Sequence, residues 1–115
     1  MEYRGDLRER CFRFSLAMVR LIKRERNGII DKAILDQLIG SGTSIGANVA
    51  EATAASSRKD FIRFNEYALR SANETVYWLR LISDGYGPSD ERAKLLDECM
   101  QLSRILGSIV VKLKS

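Results

Sequence analysis

Apolar residues recur every three or four positions along almost the whole chain, and this spacing constrains the fold more than any other feature of the sequence. Such spacing places apolar side chains on one face of an α-helix, whereas a half-buried β-strand alternates apolar and polar residues. The only proline, Pro88, interrupts the pattern once. The sequence therefore predicts an all-α fold.

Turn signals divide the periodic pattern into four helices. Asn27-Gly28 predicts the end of the first helix, Ser57 with Asp60 the capped start of the third, and the glycines and proline at residues 85–88 its end. Four helices of about 20–28 residues joined by short turns are typical of an antiparallel up-down bundle. We expect one such domain over residues 1–115. The predicted inward-facing stripes are Leu7, Cys11, Phe14, Met18, Leu21 and Ile22; Ile34, Leu38, Ile45, Val49 and Ala52; Phe61, Ala68, Ala72, Thr75, Leu79 and Ile82; and Leu95, Cys99, Leu102, Leu106, Ile109 and Leu113.

Three helices carry more apolar residues than one inward-facing stripe needs. The additional sets are Phe12, Leu16 and Val19; Ile62, Leu69 and Val76; and Met100, Ile105 and Val111. Wide apolar coverage on a surface helix indicates a further partner, so we expect a homo-oligomer. The expected interface residues are Phe12, Leu16, Val19, Tyr77 and Trp78. The alternative is that the bundle covers these positions internally.

The absence of histidine excludes many functions. Without imidazole there is no Ser-His or Cys-His catalysis and no histidine-based metal site. Cys11 and Cys99 lie on apolar stripes, which is typical of reduced, buried thiols in a cytoplasmic protein. The longest uncharged run, residues 37–50, is too short to span a bilayer, and the charged N-terminus does not resemble a secretory signal. We expect no enzymatic activity, cofactor, metal or membrane contact.

A glycine-rich stretch at residues 40–48 has two interpretations. A phosphate-binding loop needs a lysine after its last glycine, but Ala47 and Asn48 follow Gly46. We therefore expect the small residues at positions 42, 46 and 50 to allow close approach of a neighbouring helix. The role of Asn48 and Glu51, which lie three residues apart on the same helix, stays open.

The net charge of +4 is concentrated in the first helix, because residues 1–28 alone contribute +4. Arg10, Arg13, Arg20 and Arg24 are spaced so that they share one face of this helix. Arginine binds phosphate oxygens through a fork of N–H groups, so the face is a candidate nucleic-acid contact. The alternative is a solvated helix face.

The third helix interleaves basic and aromatic residues at helical spacing. Arg63 and Arg70 alternate with Tyr67 and Tyr77, an arrangement that can hold phosphates and stack bases. The spacing favours a salt-bridged surface or subunit contact, with Glu66 paired to Arg70 one turn away. Both arginines are secondary candidates for the nucleic-acid interface.

Three blocks of the sequence resemble a known bacterial family. They are Leu-Ile-Gly-Ser-Gly-Thr-Ser-Ile-Gly-Ala-Asn at residues 38–48 with Glu51-Ala52, then residues 57–61, and Glu-Thr-Val-Tyr-Trp-Leu-Arg-Leu at residues 74–81. The blocks are similar to those of the four-helix-bundle proteins encoded in 23S rRNA intervening sequences. The accessory variability determinant proteins of diversity-generating retroelements look similar in fold.

This resemblance implies a left-handed bundle that assembles as a barrel-shaped homopentamer without established enzymatic activity. For the retroelement relatives it also implies binding to nucleic acid and to a reverse transcriptase. We therefore expect a cytoplasmic, non-catalytic oligomer that binds RNA, DNA or a protein acting on them. The alternative is a protein-interaction scaffold that has no contact with nucleic acid.

Overall fold

A computed structural model describes residues 6–115 and confirms the all-α prediction. The helices are α1 (Leu7–Glu25), α2 (Lys32–Thr53), α3 (Arg58–Tyr86) and α4 (Asp90–Lys114), and the described range holds no β-strand. Residues 1–5, which carry most of the N-terminal sequence judged unlike a secretory signal, lie outside it.

The helix ends follow their predicted signals with one correction. The Ser57 hydroxyl accepts a hydrogen bond from the Asp60 amide at 3.1 Å, as the capping pattern predicts. The first helix ends at Glu25, before Asn27-Gly28. Gly85 does not end α3, because the helix continues to Tyr86 and only Gly87 leaves helical geometry, with φ of 103°. Glycine adopts that conformation without the steric cost that other residues pay.

The buried core follows the predicted stripes, with one residue replaced and two less buried than expected. In α2, Leu35 is buried and Ile34 is only half-buried. The physical reason is that the buried positions of α2 are spaced alternately by three and four residues. Leu35 fits this alternation with Leu38, Gly42 and Ile45, and the glycine occupies a core position. In α4, Ile109 and Leu113 are half-buried.

Each helix packs against the next in chain order, and α4 packs against α1. On α1 and α2, Met18 lies against Gly42 and the Cys11 backbone against Gly46. Ser103 of α4 donates to Asn73 of α3 at 2.6 Å. The principal extents are 44 × 23 × 21 Å.

The glycine-rich stretch is a packing device, as expected. A Cβ added at Gly46 would lie 3.2 Å from the Cys11 carbonyl oxygen and 3.1 Å from Ser15 Oγ. The hydroxyl of Ser44 donates to the Gly40 carbonyl at 2.6 Å, so it satisfies the helix's own backbone. The expectation for position 50 is wrong, because Ala50 is exposed.

Buried polar side chains connect neighbouring helices. Thr75 of α3 donates to Ser41 of α2 at 2.9 Å, and both side chains are buried. Arg92 of α4 is 7% exposed and donates to Glu25 of α1 at 2.7 Å and to the Gly87 carbonyl at 2.6 Å. Arg92 therefore ties the end of α1 to the turn between α3 and α4.

Both cysteines are free and fully buried. Burial raises the pKa of Cys11 to about 11 and that of Cys99 to about 12, because the low-dielectric interior disfavours the thiolate. Cys99 also donates to the Ala72 carbonyl at 3.3 Å. Both thiols are therefore structural and protonated at neutral pH.

The glycine contact predicts opposite effects at two helical glycines. We expect Gly46→Leu to destabilise the fold by about 1–3 kcal/mol, because the side chain enters the α1–α2 contact. The matched Gly40→Leu variant should gain up to about 1 kcal/mol, since nothing lies within 4 Å of that position and leucine is the better helix former. Urea unfolding measures both; a Gly46→Leu protein as stable as wild type would contradict the close approach.

Thiol ionisation predicts slow labelling of the native protein. At pH 8 the folded thiols stay protonated, whereas unfolded cysteine, with a pKa of about 8.5, is partly ionised. A disulfide reagent should therefore react much faster in denaturant. Because the folded pKa values lie above the unfolded one, the associated stability is complete below about pH 8.5 and decreases as pH rises toward 11. Equal labelling rates in the native and denatured protein would refute the buried thiols.

Candidate nucleic-acid interface

Two of the four predicted α1 arginines are bound to α4. Arg10 forms a two-pronged pair with Glu98, at 2.7 and 2.8 Å, and also donates to Gln101 at 2.8 Å. The hydrogen bond to Glu98 raises the pKa of Arg10. Arg24 pairs with Glu91. These guanidinium groups already have carboxylate partners, so their first role is to hold α1 against α4.

Arg13 and Arg20 remain on the outer surface of α1. Both are exposed, and Arg13 has only a long 3.5 Å contact with Asp6. Lys23 is exposed as well, and so is Glu9. The basic face predicted from four arginines therefore reduces to a smaller patch on α1.

The additional apolar residues of α1 lie beside this patch. Phe12 is 61% exposed, Leu16 is exposed and Val19 is half-buried. Phe12 borders a groove of about 580 Å³ between α1 and α2, whose other wall is lined by Ala47 and Ala50. The exposed Phe12 ring and the small side chains beside it therefore form an apolar surface. None of the four described helices covers this surface.

The additional apolar residues of α3 do not form a free surface. Leu69 and Val76 are half-buried and pack against the core, and Ile62 is half-buried too. The bundle therefore covers Leu69 and Val76 in part, and these positions add less exposed apolar surface than the sequence predicts. On α4, Ile105 packs against the core while Met100 and Val111 are exposed.

A second face of α3 is exposed along its length. We define the α3 stripe as six exposed residues spaced alternately by four and three, namely Arg63, Tyr67, Arg70, Glu74, Tyr77 and Leu81. The Arg70 guanidinium lies 6.0 Å from the centre of the Tyr67 ring, within cation–π range. Arg63 lies 5.3 Å from the Phe64 ring and pairs with Asp60 at 3.1 Å.

Trp78 supports the exposed Tyr77 ring. The two rings meet edge to face, with centroids 5.1 Å apart. Trp78 is half-buried against the core, and its Nε1 donates to Glu74 at 3.1 Å, whereas Tyr77 is 59% exposed. Trp78 therefore packs within its own subunit and holds an aromatic ring toward solvent.

The acidic neighbours of the α3 stripe are engaged elsewhere. Glu66 does not pair with Arg70 as predicted; it accepts from Lys114 of α4 at 2.9 Å, because α4 offers a cation on that side. Within residues 6–115, Arg70 consequently has the Tyr67 ring as its neighbour and no carboxylate partner.

Asn48 and Glu51, whose role was left open, have different surroundings. Asn48 donates to the Ser44 carbonyl of its own helix at 2.9 Å, and Glu51 is exposed. Over residues 6–115, no three Cys, Asp or Glu side chains cluster closely enough for a metal ion. None of the four helices is long and apolar enough to cross a membrane.

The sequence profile of the 23S rRNA-intervening sequence protein family matches residues 6–108. The fold is also similar to a crystal structure of a protein with unknown function from the S23 ribosomal protein family of Bacteroides thetaiotaomicron. That similarity has a TM-score of 0.82 and 35% sequence identity over 90% of this chain and 97% of the other. No curated protein matches the chain. The profile covers nearly the whole sequence, and the chain therefore belongs to the 23S rRNA-intervening sequence protein family.

Proposed function

We propose that this chain is a non-catalytic, cytoplasmic protein that self-associates and binds nucleic acid. The subunit is an antiparallel up-down bundle, and the assembly is a barrel-like homopentamer, as the resemblance implies. The observation that carries the nucleic-acid proposal is the α3 stripe, in which exposed tyrosine rings alternate with arginines and Arg70 lies over Tyr67.

Contacts at both ends of the helices support the antiparallel arrangement. Glu25 at the end of α1 pairs with Arg92 at the start of α4. Arg58 at the start of α3 donates to the Leu113 carbonyl near the end of α4 at 2.8 Å. Opposite ends meet in each case, which is the expected geometry when short turns join successive helices.

Self-association is supported by the apolar surface of α1. Phe12 and Leu16 are exposed on the same helix, and Phe12 borders the α1–α2 groove. Covering these side chains with another copy removes apolar area from water. The stripe residue Tyr77 was also expected at the interface, but one surface cannot contact a subunit and a nucleic acid at once. We assign Tyr77 to nucleic acid and Phe12 to self-association.

Arg13 and Arg20 lie beside Leu16 on the outward face of α1, and we assign them to nucleic acid at the rim of the subunit contact, where their side chains stay uncovered. Each copy contributes this pair of unburied cations, and a ring repeats it around the assembly, which strengthens the positive field. Arg10 and Arg24 contribute less in this proposal, because each already neutralises a glutamate of α4.

A second candidate function is docking of a partner protein such as a reverse transcriptase. The observation that favours it is the same groove beside Phe12, which has charged residues at its rim, including Arg8 and Glu9. An apolar groove with a polar rim resembles the anatomy of protein interfaces. Under this candidate, an affinity pull-down would recover the same polypeptide after nuclease treatment.

A salt titration tests the nucleic-acid function. We expect filter binding to structured RNA to weaken steeply as salt rises, because phosphate contacts release counterions. The Arg13→Glu/Arg20→Glu double variant should bind more weakly. Its plot of log affinity against log salt should also be less steep, by the amount expected for the loss of about one to two phosphate contacts. Arg104→Glu, at an exposed arginine of α4, is the matched control and should bind as wild type does. Undetectable wild-type binding at low salt would remove the proposal.

Light scattering tests the proposed self-association. Wild-type protein at micromolar concentration should have several times the 13.0 kDa chain mass. Phe12→Glu should shift the particle toward the monomer, because it places a charge in an apolar contact. Ala93→Glu places the same charge at an exposed residue of α4 outside the additional apolar sets and should keep the wild-type mass. A monomeric wild type contradicts the assembly.

A further inference from the structure

The α3 stripe presents two aromatic rings along one line of the surface. Tyr67 is 40% exposed and Tyr77 59% exposed. They are ten residues apart on one continuous helix, which corresponds to about 15 Å. Each ring is held by a neighbour, since Phe64 meets Tyr67 edge to face at 6.1 Å and Trp78 does the same for Tyr77 at 5.1 Å.

The stripe is weakly charged, which restricts the kind of nucleic acid that it can bind. The stripe contains two positive charges, on Arg63 and Arg70, and one negative charge, on Glu74. The charge of Arg63 is already neutralised by Asp60. A duplex hides its base faces and is bound mainly through its phosphates, so it needs more cations than this surface offers. A single strand exposes base faces, which aromatic side chains can stack upon.

Arg80 is exposed three residues from Tyr77 and borders the stripe, but the basic residues of α1 do not add to its charge. Arg13 and Arg20 lie on α1, and α1 is not in contact with α3. A short strand lying on the α3 stripe of one subunit therefore has Arg70 as its nearest free cation within the stripe. The remaining affinity has to come from ring contacts.

We propose that the α3 stripe binds single-stranded nucleic acid by stacking bases on Tyr67 and Tyr77, while Arg70 contacts the intervening backbone. The proposal rests on the nucleic-acid function above and adds the class of ligand. The spacing of the rings suits a segment of about four to five stacked nucleotides at about 3.4 Å each. Because every base has an aromatic face, binding at the stripe is tolerant of sequence.

Fluorescence anisotropy tests this proposal with two probes, a fluorescein-labelled oligouridine of about ten nucleotides and a labelled RNA duplex of similar length. We expect the wild-type assembly to bind the oligouridine more tightly. Tyr77→Ala should weaken its binding by about five- to a hundred-fold, and Tyr67→Ala likewise, whereas Tyr77→Phe should retain it. Ile29→Ala is the control at an exposed apolar residue of the turn between α1 and α2.

Salt dependence separates stacking from charge. Tyr77→Ala should lower affinity at every salt concentration without changing the slope, since it removes no phosphate contact. Arg70→Gln should make the slope shallower by about 0.7, the value for one phosphate of a single strand. Trp78 is the only tryptophan of the chain and touches Tyr77, so unlabelled oligouridine should change its fluorescence and the duplex should not.

The outcomes distinguish this proposal from the function on which it rests. If the protein binds no RNA of any kind, the proposed function itself fails. If it binds structured RNA but prefers the duplex, or if Tyr77→Ala binds oligouridine as wild type does, only the stacking proposal is overturned. Circular dichroism and light scattering accompany each variant. A lower particle mass for Tyr77→Ala assigns the residue to the subunit interface and overturns the proposal too.

Discussion

The close approach of α1 and α2 at Gly42 and Gly46 determines which surface of α1 is free. At Gly46 the backbone of the partner helix lies where a Cβ would be, and Met18 fills the space above Gly42. Interiors are densely packed, so α1 cannot rotate without forcing a side chain into α2. The orientation of α1 that results buries Cys11 and leaves a mixed apolar and basic face exposed to solvent. The outward residues used above are Phe12, Arg13, Leu16 and Arg20.

The surface of α3 is set by contacts on either side of it. The bond from Thr75 to Ser41 joins α3 to α2, and Lys114 draws Glu66 toward α4. The first contact fixes the rotation of α3. The second engages the Glu66 carboxylate, and Arg70 lies over an aromatic ring without a carboxylate partner in residues 6–115. The chemistry of the exposed stripe is thus a consequence of packing between helices.

The sequence predicted the helices and most of the core because helical periodicity is a local property. It also predicted the packing role of the glycines, since their spacing matches one helix face. The sequence did not predict the ion pairs between helices. Arg10 and Glu98 are 88 residues apart, so no local pattern shows that Arg10, a predicted phosphate contact, is already neutralised. Arg92 was missed for the same reason, because its burial depends on Glu25 and on the turn at Gly87. A capping arginine in the first turn of α4 resembles any surface residue in sequence.

If the protein self-associates and binds nucleic acid as proposed, the weak charge of each α3 stripe makes assembly and ligand binding depend on each other. A single α3 stripe offers two rings and one free cation, which supports only modest affinity for a strand. Several stripes on one particle act together only if the linking strand spans from one to the next, and the gain then comes from effective concentration rather than from new contacts. Self-association through α1 would supply that repetition while leaving α3 uncovered. Covering α3 would instead remove the aromatic surface and leave only isolated arginines. The exposed rings of α3 therefore favour an assembly that buries Phe12 and leaves Tyr77 free.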